Sequence, residues 1–284
     1  MNNEITFEHI WDMEPGQDGA IYGDFLLRFG RDGICNVYSM PEGNKYSKFT
    51  LDKADVLMPH SNSVCFGTEF YDTSDEFPLL YSNVYNNYSK SADRQEGTCC
   101  VYRIVRNENV FTSKLVQVIK IGFIKNSDYW ISGGEIEDIR PYGNFVVDID
   151  NGKLWVFTMR DGNYTTRYFS FDLPKATYGT YNEKYGANVV ILDIEDIKSH
   201  FDCEYSRYIQ GACYYGNKIF SLEGFSSEKN PPKLQIIDLS KKEQICTVDL
   251  WGMGLVIEPE FIDFYEGTCY YSDAKGAVYK LNFR

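Results

Sequence analysis

Short apolar runs alternate with turn residues along the chain, and residues 208–224, YIQGACYYGNKIFSLEG, show the unit most clearly. Two β-rich runs flank Gly216-Asn217, a two-residue signal for a tight hairpin. Gln210 opens the first run. Gly211 and Ala212 follow it, small enough to let several strand ends crowd together. The same order of residues recurs at 17–29, at 144–157 around Asp150-Asn151-Gly152, and at 260–273 around Glu266-Gly267. A looser copy, 62–67, resumes after a longer loop at 77–82.

Five copies at a spacing of roughly 45–65 residues match a blade-by-blade architecture, one four-stranded sheet per repeat. The pattern therefore predicts an all-β single β-propeller over 1–284, five blades preferred, with six as the alternative. A sixth repeat would have to hide in 174–207 or 99–131. A β-sandwich with similar-looking hairpins is the competing architecture.

Residues 5–13 read as a strand with Ile5, Phe7, His9 and Trp11 on one face, and it has no hairpin partner of its own. Residues 277–283 are equally orphaned. Pairing of the two ends is expected to close the ring and remove its exposed edges. Within the blades, strands are predicted at 19–27, 34–40 and 46–51, then 98–105 and 115–121 after a polar insertion at 85–97. Further strands are predicted at 154–159, 167–172, 234–239 and 244–250. Residues 174–207 depart from the repeat: a Tyr- and Gly-rich excursion is followed by apolar positions 194, 197 and 201, whose spacing predicts a short surface helix.

Composition refines this picture. The 23 Tyr and 19 Phe suit strands and fill wedge-shaped gaps between sheets. A net charge of −13 argues against nucleic acid or an anionic membrane as partner. No run approaches the ~18 apolar residues of a membrane span, and the polar, acidic N-terminus does not read as a secretory signal. Eight cysteines without a C-x-x-C pair read as reduced, mostly buried thiols of a cytoplasmic protein. A monomer is expected.

Aligning the repeats places Asp18, Asn62, Gln210 and Glu260 at equivalent strand openings, with Arg140 and Asn144 flanking the opening of the third blade. Gln17, His60, Asp138, Glu258 and Asp263 lie nearby. Such polar groups, converging at one end of a propeller channel, form a candidate ligand mouth; strand ends are also polar simply because they meet water. His60 could serve as a metal ligand, a base or a sugar contact. However, the chain has only three histidines, none at ligand spacing, so no zinc site is expected. No local acidic loop specifies Ca²⁺ or Mg²⁺, and no cofactor is expected. Asp18 and Glu260, brought together where the ring closes, would form the carboxylate pair of a glycoside hydrolase-like enzyme. A Gly-x-Ser-x-Gly nucleophile elbow is absent.

The blade grammar, above all Gln210-Gly211-Ala212 with Gly216-Asn217 and Glu258-Pro259-Glu260 leading to Tyr271-Ser272-Asp273, resembles bacterial β-propellers. It is similar to uncharacterised cytoplasmic propeller-like proteins along nearly the whole chain, and more distantly, in the Gln-Gly strand start, to five-bladed helveticin-like proteins. The resemblance implies a propeller fold and a binding-type role and carries no catalytic residues; the expected function is non-catalytic binding of a small polar ligand, a carbohydrate or a protein.

Overall fold

Period-two alternation explains the architecture. In a computed structural model describing residues 5–84, 97–122, 143–160 and 165–283, successive residues of each innermost strand point into different inter-blade cores. Val64 joins the cluster between the first two blades, whereas Cys65 joins the next one. Phe145 and Val146, Ala212 and Cys213, and Phe261 and Ile262 divide in the same way. Both faces of these strands are buried, so their sequences read as continuous apolar runs. Five such clusters, one per interface, make a closed five-bladed β-propeller.

Strand β1 (Ile5–Asp12) precedes the first blade, which is built from β2 (Gly19–Tyr22), β3 (Phe25–Phe29), β4 (Ile34–Ser39) and β5 (Lys45–Thr50). The second blade contains β6 (Val64–Phe66), β7 (Leu80–Val84), β8 (Thr98–Asn107) and β9 (Val110–Ile121). The third begins with β10 (Asn144–Asp148), β11 (Lys153–Arg160) and β12 (Thr165–Asp172). The chain then returns to the second blade with β13 (Thr180–Asn182) and β14 (Ala187–Leu192), the latter pairing parallel to β9, before β15 (Ser199–Glu204) completes the third. The fourth blade is β16 (Ile209–Tyr215), β17 (Lys218–Glu223), β18 (Lys233–Asp238) and β19 (Glu243–Asp249). The fifth is β20 (Pro259–Tyr265), β21 (Thr268–Asp273) and β22 (Ala277–Phe283), with β1 as its outermost strand.

Closure follows the expected route: β1 pairs antiparallel with β22 from Ile5↔Phe283 to Asp12↔Ala277. Gly216 and Asn217, at φ 56° and 61°, form the left-handed pair that a tight hairpin between twisted strands requires. The helical spacing at 194, 197 and 201 is satisfied differently from the prediction. Only Ile194–Asp196 turns, as a 3-10 helix capped by the Asp193 side chain. Phe201 lies in β15, stacked 5.2 Å from its cross-strand partner Tyr168 and edge-on to Trp155, so packing across the third blade's strands overrides the local period. Residues 174–207 thus supply strands to two blades rather than a surface helix. No helix among the described residues is long and apolar enough to cross a membrane.

Candidate functional site

All five innermost strands begin at the same end of the ring, so the residues before β2, β6, β10, β16 and β20 share one mouth. The chain there is crowded. A Cβ added to Gly211 would lie 2.3 Å from the Glu260 carbonyl oxygen and 2.8 Å from Asp18 Oδ1, which explains the small residue at this opening.

Asp18 is fully buried on the axis. Its Oδ2 accepts from the amide of Val64 at 2.9 Å and from that of Ala212 at 3.3 Å, joining the first blade to the second and fourth. Burial pushes its carboxyl well above the usual range, against the amides that favour the charged form. Asparagines continue this staple. Asn62 Nδ2 donates to the Ile209 carbonyl at 2.7 Å, and Asn144 Nδ2 donates to that of Gln210 at 2.5 Å. Asn83, from inside β7, donates to Gly143 O and to Asn144 Oδ1. These side chains fasten backbone to backbone.

A second group is less fully satisfied. Gln17 Nε2 donates to Glu260 Oε1 at 3.1 Å, and Gln210 Nε2 donates to Glu258 Oε1 at 2.8 Å. Burial, reinforced by the charge of Glu258, raises the Glu260 carboxyl to about 8, so it is largely protonated at neutral pH. Glu258, half-buried, is also raised, first by burial. Exposed Arg31 lies close enough to lower the pKa of both glutamates and of His60. His60 falls to about 4, mainly through burial, and is neutral.

Arg28, buried within β3, completes the cluster. Its Nη2 donates to Gly16 O at 2.9 Å and Asp273 O at 3.3 Å, and its guanidinium lies over the Phe261 ring. Burial lowers it to about 10, while Glu260 and Asp18 support its charge. Glu260 Oε2, Asp18 Oδ1, and Arg28 Nε and Nη1 are buried without a hydrogen-bond partner among the described residues. Farther along β20, Asp263 accepts from the Ile21 amide at 2.7 Å, and burial raises it to about 7.

Asp18, Asn62, Gln210, Glu258, Glu260 and His60 therefore all belong to the strand-opening end, while Arg140 and Asp138 lie outside the described residues. Sequence reasoning missed Arg28 and Arg31. The signal for Arg28 was a lone charge inside the apolar run FLLRF; for Arg31 it was a cation in the Gly30–Gly33 turn that faces the same end. Among the described residues, no three His, Cys, Asp or Glu side chains are grouped to hold a metal ion.

No protein-family model and no curated protein matches the chain. Solved structures do. The glutaminyl cyclase of Myxococcus xanthus aligns over 97% of this chain and 95% of its own, at 10% identity and a TM-score of 0.52. BamB from Moraxella catarrhalis aligns over 95% of this chain at 10% identity and a TM-score of 0.35, and the chain spans 58% of that protein. At such identity the likeness to the cyclase concerns the fold alone.

Proposed function

We propose that the protein is a binding module whose mouth takes a small polar ligand, held by Glu258, Glu260, Gln17 and Gln210 beneath Arg31. One observation carries this reading: Glu260 Oε2 and two Arg28 nitrogens are buried beside each other's charges without a hydrogen-bond partner among the described residues. Buried polar atoms are costly when unpaired, and a hydroxyl-bearing ligand, which accepts from the guanidinium and donates to the carboxyl, would satisfy them. A protonated Glu260 both donates and accepts, which suits sugars and amides as well as amines. The net charge of −13 disfavours a nucleic-acid partner, and eight free cysteines favour a reducing compartment.

A catalytic reading draws on the same carboxyl, since a glutamic acid protonated near pH 7 is suited to general acid work. Its partner would be Glu258 rather than Asp18, whose Oδ2 is engaged by two amides. Calorimetric titration of mono- and oligosaccharides, amines and glutaminyl peptides against the wild type, Glu258→Gln and Glu260→Gln tests both readings. Binding should be lost or weakened by about tenfold in each variant. Ligands that bind both variants as well as the wild type would refute the mouth as the site. Turnover that disappears in Glu260→Gln with binding intact would establish the catalytic reading instead.

A further inference from the structure

A cleft of about 740 Å³ lies at the opposite end from this mouth, between the fourth and fifth blades. The hairpin turns at Gly216 and Gly267 border it, and the outer strands β19 and β22 wall it. Its floor is aromatic: Phe264 stacks on Tyr215 with centroids 3.9 Å apart, and Phe220 meets Phe264 and Phe283 edge-on. Tyr215, Ile245 and Phe283 are 43%, 41% and 36% exposed, so apolar surface here is left uncovered by the described residues. The volume falls in the range of small-molecule pockets.

Charge identifies the occupant. In a chain of net charge −13, no aspartate or glutamate among the described residues lines this cleft, and the one charged lining residue among them is Lys218. Lys218 Nζ donates to the Gly216 carbonyl at 3.3 Å, and no carboxylate pairs with it among the described residues. An ammonium held beside an aromatic floor attracts a flat apolar body that carries a negative group. We propose that this cleft binds small aromatic carboxylates, with the ring on the Tyr215–Phe264 floor and the carboxylate on Lys218.

Cys246 supplies the readout, because it lines the cleft and is the one cysteine that is not buried. Maleimide labelling of Cys246 in the native protein, followed by intact mass, is measured against 1-naphthoate, 1-naphthylmethanol and 1-naphthylmethylamine. The acid should protect the thiol at a concentration about tenfold lower than the alcohol, and the amine should be weaker still. Lys218→Gln should level the series, Lys218→Arg should keep it, and Ile245→Glu should abolish protection by the acid. Circular dichroism confirms that each variant is folded. Equal protection by all three compounds, or none by the acid, overturns the proposal. Glu260→Gln should leave this protection unchanged, so the two sites succeed or fail separately.

Discussion

Replacing Asp18 tests whether the axis is held by a shared carboxyl. In Asp18→Ala the amides of Val64 and Ala212, from two different blades, lose their acceptor in a fully buried place. Each orphaned amide costs about 1–3 kcal/mol, so the variant should lose about 2–6 kcal/mol. That is a large share of the roughly 5–15 kcal/mol that holds a typical domain. Asp18→Asn keeps an acceptor oxygen in the same place. Since burial pushes the Asp18 carboxyl well upward, the neutral amide imitates its protonated form and should cost under about 1 kcal/mol. Urea unfolding followed by tryptophan fluorescence gives both values, with an unchanged slope showing that the same surface is exposed. A loss under about 1 kcal/mol in Asp18→Ala would refute the staple. An Asn variant as unstable as the Ala variant would show that the charged form is the one the axis requires.

Three further outcomes follow from the same geometry. Deleting residues 1–12 exposes the edge of β22 and the packing of Ile5, Ile10 and Trp11, each half-buried. At about 1–2 kcal/mol each, this should lower the melting temperature by roughly 10 °C; a truncated chain that melts like the full one rules out closure by β1. Glu260 has a folded pKa of about 8, above its unfolded value of about 4.3. Its contribution is therefore fully present at acidic pH and lost as pH rises toward and through about 8; Glu260→Gln should flatten the decline in stability over that window, and an unchanged slope would count against the raised value. Gly211→Ala places a methyl 2.3 Å from the Glu260 carbonyl, where no flexible side chain can yield, and should cost about 1–3 kcal/mol by chemical denaturation; near-wild-type stability would mean the axis is looser than its contacts imply.

The repeat was legible because hairpin turns recur at corresponding positions and two blades open on the small pairs Gly211-Ala212 and Gly19-Ala20. The five-blade count was legible for the same reason. The path of 174–207 was not. Ile194, Ile197 and Phe201 carry a helical period, but Phe201 is positioned by Trp155 and Tyr168, partners that local sequence cannot reveal. The mouth was legible as a set of strand openings, not as a division of labour within them. Aspartate and asparagine at an opening look alike whether they meet ligand or backbone, and only the geometry assigns Asn62 to Ile209 and Asn144 to Gln210. Arg28 was hidden inside an apolar run because its foremost charge partner, Glu260, and its Asp273 acceptor lie more than two hundred positions away.

Burial orders the mouth in a way that separates scaffold from recognition. Asp18, Asn62 and Asn144 are at most 1% exposed and bond to backbone from other blades, so they close the axis. Glu260 is equally buried, yet neither of its oxygens takes a backbone amide from another blade among the described residues, Oε1 accepting from the Gln17 side chain; Gln210 and Glu258 lie progressively nearer solvent, and Arg31 is exposed. The proposed ligand, entering from this end, would meet Arg31 and Glu258 before Glu260 and stop at the staple that holds the blades together. The small residues at the strand openings follow from the crowding that the staple imposes and would be required with or without a ligand. On the proposed reading, specificity resides in Gln17, Gln210, Glu258, Glu260 and Arg31, the polar side chains of this end that do not close the axis by bonding backbone of other blades.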